Sequence, residues 1–107
     1  MDDSLTRLQE LSFEIITSAG EAKSFAYEAL AAAKEKNRAL YEAKMAESES
    51  AFAEAHHRQF DLLSAEANHT MELVFSILLV HAQDHLMTTM ASIELIKEIS
   101  ELYLNGK

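Results

Sequence analysis

The amino-terminal third of the chain repeats apolar residues at steps of three and four positions. This spacing begins near Asp3, ends near Lys34 and gives a helix one apolar face. Such a face is typical of a helix that packs lengthwise on other helices. It is formed by Leu5, Leu8, Leu11, Ile15, Ala19, Ala22, Ala26, Ala29 and Ala33. We predict a first helix over residues 3–34, in which Gly20 marks a bend or the close approach of a neighbouring backbone.

A polar segment, Lys34–Asn37, separates this helix from a second one, and asparagine at position 37 is a residue type that caps helix amino termini. The second helix is predicted over residues 38–67. Its expected core face takes one residue in every seven: Ala39, Ala46, Ala53, Phe60 and Ala67. Residues 68–70 are polar and are predicted to form the second turn.

The carboxy-terminal third predicts a third helix, over residues 72–104, that is apolar on nearly every side. One apolar row contains Leu79, Leu86 and Ile93. Three methionines are expected to fill the core: Met71, Met87 and Met90. Two partner helices cannot cover all sides of such a helix, so we expect another copy of the chain to cover the remainder. The predicted fold is all-α, an antiparallel three-helix bundle that self-associates through its third helix.

Composition and charge restrict the classes of function. The 107 residues fit a single domain, 1–107, and the absence of cysteine excludes disulfides and thiolate metal sites. A net charge of −9 disfavours binding to nucleic acid and to anionic membrane surfaces. The longest apolar run is too short to span a bilayer, and the acidic amino terminus does not resemble a secretion signal. We therefore expect a cytoplasmic protein.

Three polar residues, His81, Asp84 and His85, interrupt the apolar rows of the third helix. A helix places residues three and four apart on one face, so these side chains are neighbours. Burying a carboxylate and two imidazoles costs on the order of several kcal/mol unless each is paired, hydrogen-bonded or bound to metal. Because packing alone seldom justifies that cost, this trio is the candidate functional site.

Three interpretations of the trio remain open on the residues alone. In the first, they are hydrogen-bonded core residues that fix the register of the bundle. In the second, His81 and His85 bind a metal ion, as in the inverted zinc-protease motif with aspartate in place of glutamate, although the chain offers little for a third ligand and a cleft. In the third, one histidine is a nucleophile towards phosphorus, because neutral imidazole keeps a nitrogen lone pair at neutral pH.

The string from His81 to Thr89, HAQDHLMTT, resembles the signature of the lactose/cellobiose-type enzyme IIA proteins of the bacterial phosphotransferase system. Further segments are similar to the same family: Phe13–Ile16, Ser18–Ser24, Ala53–His56, Gln59 and Glu101–Tyr103. The resemblance extends over nearly the whole chain and favours the third interpretation.

The resemblance implies a phosphotransferase component that is not a complete enzyme on its own. His81 would accept a phosphoryl group on Nε2, the tele position, from the phosphocarrier HPr and pass it to a cysteine of a partner IIB protein. The final acceptor would be a β-linked disaccharide, such as cellobiose, chitobiose or lactose, entering through the membrane component IIC. Gln83 and His85 would orient His81 or hold the phosphoryl oxygens, and His56 would line the site of a neighbouring subunit.

The resemblance also implies a homotrimer in which three copies of Asp84 surround a divalent cation on the three-fold axis. Converging carboxylates repel one another unless a hard cation lies between them, and Mg2+ is the ion we expect. The alternative from another class of function is a non-catalytic, metal-bound helical trimer that acts as a scaffold or interaction protein.

Overall fold

The computed structural model describes residues 3–68 and 77–106, and within these ranges the chain forms three helices without strands. The helices are α1 (Asp3–Lys34), α2 (Arg38–Ala67) and α3 (Ile77–Asn105). The all-α fold class is confirmed, and the bounds of α1 and α2 coincide with those predicted from the sequence. No helix in the described ranges is both long enough and apolar enough to cross a membrane.

Contacts between side chains give the directions of the helices. Arg58, late in α2, lies 3.1 Å from the carboxylate of Glu14, early in α1. Arg38, at the start of α2, lies 3.7 Å from the carboxylate of Glu101, late in α3. α2 therefore runs antiparallel to both other helices, and α1 and α3 run parallel to each other.

Part of the predicted second turn lies outside the described residues. Asn68 caps the carboxy end of α2, and its backbone N–H donates to the carbonyl of Ser64 at 2.9 Å. His69, Thr70, Met71 and the predicted start of the third helix at residue 72 lie outside the described ranges. The described part of α3 ends at Asn105, one residue beyond the predicted end.

The connection between α1 and α2 also closes the end of α3. Asn37 caps α2 as predicted, because its side-chain oxygen accepts a 3.1 Å hydrogen bond from the backbone N–H of Leu40. Lys36 adopts a left-handed backbone conformation, with φ of 59°, which turns the chain sharply. Its ammonium donates to the carbonyls of Tyr103 at 2.8 Å and Gly106 at 2.9 Å. These are carbonyls that a helix end leaves unpaired, so one lysine joins the connection to α3.

The core follows α1, whose buried face turns from leucine and isoleucine to alanine along the helix. Near the start of α1, this face packs against Ala55, Leu62, Ala82 and Leu86. Near its end, the alanines face the larger side chains of Tyr41, Met45, Ile93 and Ile96. In between, the buried hydroxyl of Ser48 donates a 2.6 Å hydrogen bond to the carbonyl of Ala22 and ties α2 to α1.

The predicted core face of α2 is wrong. All of its members are exposed: Ala39, Ala46, Ala53, Phe60 and Ala67. The buried residues of α2 are Tyr41, Met45, Ser48, Ala55 and Leu62. Alanine occurs on every side of α2 and loses little by exposure, so its seven-residue recurrence carries little information about the buried face. The bulky side chains decide which face is buried.

One face of α3 is left uncovered within the chain, because α3 packs mainly on α1 and only lightly on α2. This outer face of α3 consists of Ile77, Val80, Asp84, Met87, Ala91, Leu95 and Leu102. Ile77 is 81% exposed, Leu95 63% and Leu102 75%. Met87 therefore does not fill the core of the single chain, which corrects that prediction. The excess apolar surface predicted for the third helix is present, and such a surface is typical of one that another molecule covers.

Candidate functional site

The predicted histidine pair lies on adjacent turns of α3. His81 and His85 are four residues apart, so both rings project from the same side of the helix. The rings are parallel, with 3° between their planes and 6.0 Å between their centres. His81 is exposed and His85 is half-buried. The structure thus places a ring that a partner molecule can reach beside a ring that is held against the bundle.

Gly20 on α1 lies near the ring of His85. A Cβ atom at position 20 would lie 3.6 Å from Nε2 of His85, which is an ordinary van der Waals contact. The neighbour at this glycine is therefore a side chain of α3 rather than a backbone, and the ring does not require a glycine there. Burial lowers the pKa of His85 below its ordinary value, and the nearby His81 and Lys23 lower it further. His85 is consequently neutral at neutral pH, able to accept a hydrogen bond on one nitrogen and donate from the other.

Asp84 lies on the outer face of α3, exposed and among apolar residues. Thr88, one turn later, donates its hydroxyl to the backbone carbonyl of Asp84 at 2.9 Å, a hydrogen bond that does not involve the carboxylate. In the part of the chain that the structure describes, no three His, Cys, Asp or Glu side chains come together to hold a metal ion. A metal ion bound at Asp84 would take its remaining ligands from water or from other molecules.

The two remaining predicted site residues lie towards α2. The side-chain oxygen of Gln83 accepts a hydrogen bond from the side-chain amide of Gln59, across the narrow contact between α2 and α3. Residues two apart on a helix do not face each other, so this arrangement directs Gln83 away from His81. His56 is exposed on α2 and stacks on Phe52, with 6.3 Å between ring centres. Among the described residues, the ring of His85 lies parallel to that of His81, whereas the contacts of Gln83 and His56 are with Gln59 and Phe52.

The sequence from residue 10 to residue 104 matches the protein family described as PTS system, lactose/cellobiose specific IIA subunit. A lactose-specific EIIA component of Staphylococcus epidermidis is 41% identical over 99 residues, which cover 92% of this chain and 94% of that protein. The chain belongs to the lactose/cellobiose-specific enzyme IIA family. The family resemblance carried by the sequence motifs is therefore confirmed.

Solved structures of enzyme IIA proteins share this three-helix fold. The crystal structure of the cellobiose-specific enzyme IIA from Bacillus anthracis aligns with a TM-score of 0.86 at 39% identity, over 92% of this chain and 89% of that one. A chain from the solution structures of the IIA(chitobiose)–HPr complex of Escherichia coli aligns with a TM-score of 0.78 at 41% identity, over 92% and 94% of the two chains.

One residue near the histidine pair of this enzyme IIA chain was not singled out by the sequence patterns. Lys23 is half-buried, and its charge acts on His85. It follows Gly20 by three residues and so lies on the same side of α1. In the sequence, these are a glycine and a lysine three residues apart beside an apolar face, a combination too common to single out Lys23. Their register against α3 is a tertiary property that periodicity along the chain does not contain.

Proposed function

We propose that this enzyme IIA chain is a cytoplasmic phosphocarrier that takes up a phosphoryl group on His81 and passes it on. The observation that carries the proposal is the exposed ring of His81, held parallel to the ring of His85 within the HAQDHLMTT string. A carrier residue has to be reached by two partner proteins in turn, and an exposed ring on a helix surface meets that requirement.

The transfer needs no strong base. The lone pair of Nε2 of His81 attacks phosphorus, and an N–P bond forms while the bond from phosphorus to the donor atom breaks, with its electron pair remaining on the donor. Nδ1 of His81 keeps its proton. In the second transfer, a cysteine thiolate of the IIB partner attacks phosphorus, an S–P bond forms and the electron pair of the N–P bond returns to Nε2. The chain is therefore a phosphotransferase component that acts between other proteins.

The partners are proposed from the relatives. The chitobiose IIA protein of Escherichia coli was solved in complex with HPr, which supports HPr as the donor to this chain. The relatives are named for lactose, cellobiose and chitobiose, all β-linked disaccharides, and this supports a sugar of that class. The sugar need not touch this chain, because the phosphoryl group would reach it through the IIB protein.

The residues that support His81 are proposed to come from two copies of the chain: His85 from the same copy, and Gln83 and His56 from a neighbouring copy. His85 lies next to His81 and is suited to hold a phosphoryl oxygen with its N–H while it is neutral overall. Gln83 and His56 lie towards α2, and they would reach only the phosphoryl group of a neighbouring copy of the chain.

The outer face of α3 supports the proposal of a homotrimer. Leucine, isoleucine and methionine side chains are exposed along its length, and the hydrophobic effect favours covering them. Asp84 lies in the middle of this face, so three copies packed around an axis would bring three carboxylates together. These oxygens are ligands of the type that Mg2+ prefers. When bound, the ion would neutralise the carboxylates and hold the copies together, without taking part in the transfer.

The test of the carrier role is phosphorylation in a mixture of phosphoenolpyruvate, enzyme I and HPr, followed by intact-mass analysis. Wild type should gain a single acid-labile phosphoryl group. His81→Ala should gain none, with an unchanged helical circular dichroism spectrum, because alanine fits a helix well. His57→Ala is the matched control, since His57 is an exposed histidine on α2.

A wild-type chain that stays unphosphorylated, or a phosphorylated His81→Ala variant, would contradict the proposal. If the unphosphorylated chain also binds a divalent cation as a trimer, the metal-bound scaffold becomes the better assignment.

A further inference from the structure

A phosphoryl group on His81 would raise an electrostatic problem for this chain. The group carries close to two negative charges at neutral pH, by analogy with other phosphorylated side chains. The chain already has a net charge of −9. A second anion brought to such a surface is repelled unless a cation lies nearby. The position of the basic residues therefore decides whether the site can hold a phosphoryl group.

Most basic residues near the bundle core are already paired with carboxylates. The basic residue of α3 is Lys97, which lies sixteen residues after His81, or about 24 Å along the helix, and pairs with Glu49. On α2, the half-buried Lys44 pairs with Glu28 at 3.9 Å. Arg58, also half-buried on α2, is surrounded by three carboxylates: Glu14, Glu54 and Asp61.

Lys23 differs from these cations. It is half-buried, yet no carboxylate pairs with it in the part of the chain that the structure describes. Gly20, one turn before it on α1, faces the ring of His85, since a Cβ atom at position 20 would lie 3.6 Å from Nε2 of that ring. Helical side chains lean towards the amino end of their helix, so Lys23 leans towards Gly20. Because α1 and α3 are parallel, this direction leads to His85 and then to His81.

We propose that Lys23 is a positioning residue for the phosphoryl group on His81. Its ammonium, on α1, supplies the positive charge that α3 lacks near His81. The inference rests on the proposed carrier role of His81. Lys23 remains protonated throughout the transfer, and it favours the phosphorylated state by charge alone. His85 and Lys23 together then form the side of the site that faces α1.

The experiment measures the rate of phosphoryl uptake from phospho-HPr, by rapid quenching and intact-mass analysis, in wild type and three variants. Lys23→Gln should slow uptake about tenfold, the effect of losing one partly screened charge contact. Lys23→Arg, which keeps the charge, should stay within about threefold of wild type. Lys34→Gln, at an exposed lysine at the end of α1, is the matched control for net charge and should behave as wild type.

A further readout separates this role from docking of HPr. The affinity for unphosphorylated HPr should not change in Lys23→Gln. An equal loss of HPr affinity would make Lys23 a docking residue and overturn the proposal.

The result for wild type distinguishes failure of the proposed role of Lys23 from failure of the proposed carrier function of His81. If wild type is phosphorylated and Lys23→Gln matches its rate, the role of Lys23 is refuted while the carrier function stands. If wild type takes up no phosphoryl group, the carrier function itself fails.

Discussion

At the scale of single residues, the two histidines of the pair differ because only one of them is held against α1. His85 packs at Gly20, and burial there, followed by the charges of His81 and Lys23, lowers its pKa from the ordinary 6.5. His81 projects into solvent, where partner proteins can reach it. His85 is thus the half-buried neighbour, and His81 is the accessible nucleophile of the pair.

The shifted pKa of His85 predicts how stability depends on pH. Between the folded-state pKa and 6.5, the unfolded chain binds more protons at this site than the folded chain does. The stabilisation is therefore fully present above 6.5 and is lost as the pH falls through the folded-state pKa. Urea unfolding between about pH 5 and pH 8 should show this slope in wild type and a smaller slope in His85→Gln. Equal slopes in the two proteins would contradict the shift, and His57→Gln controls for the loss of an exposed imidazole.

Candidate site residues can be predicted from the sequence where polar residues interrupt an apolar pattern. His81, Asp84 and His85 were found in this way, and the structure places all three on the accessible side of α3 or at its edge. Lys23 was not found, because a lysine beside an apolar face is ordinary until its neighbour on another helix is known. Lys23 becomes a candidate only through its position on α1 relative to His85 on α3, and the local sequence pattern does not contain that position.

At the scale of helices, the predicted buried face is right for α1 and wrong for α2. On α1, the spacing of three and four residues identified the face that is buried from Leu8 to Ala33, whereas the seven-residue recurrence on α2, mostly alanine, identified an exposed face. Burial of a small side chain removes little area from water and so constrains the packing weakly. The buried face of α2 is set instead by its larger side chains, among them Tyr41, Met45 and Leu62.

Ser48 should be the polar residue that contributes most to the contact between α1 and α2. Its buried hydroxyl donates to the carbonyl of Ala22 at 2.6 Å. Ser48→Ala should lower the free energy of unfolding by about 1 kcal/mol relative to Ser50→Ala. Serine at position 50 is exposed on the same helix, so its variant gains the same helix propensity without losing a buried contact. Urea titrations at a fixed protein concentration measure the difference, and indistinguishable midpoints would show that the hydrogen bond is energetically neutral.

At the scale of the whole molecule, an uncovered face on α3 could be predicted from the sequence. Two neighbouring helices cannot bury every side of a helix that is apolar all round. The structure locates this face on the side of α3 that is turned away from both other helices, with Asp84 at its centre. The number of copies that cover the face does not follow from periodicity, because any symmetric arrangement buries apolar area. The carboxylate in the middle of the face provides a way to test the proposed three-fold arrangement.

Replacing Asp84 by leucine should remove the need for a metal ion. In wild type, sedimentation equilibrium should show a trimer in Mg2+ that weakens when EDTA is added, since three carboxylates then repel one another. Asp84→Leu should be trimeric under both conditions and more stable by about 1–4 kcal/mol, because an apolar replacement avoids burying charge. Glu47→Leu, which changes an exposed carboxylate on α2, should respond to EDTA as wild type does. An Asp84→Leu chain whose trimer weakens in EDTA as the wild-type trimer does would place this residue away from the axis. A wild-type trimer indifferent to EDTA would instead show that the apolar residues of the outer face suffice to hold the copies together without a cation.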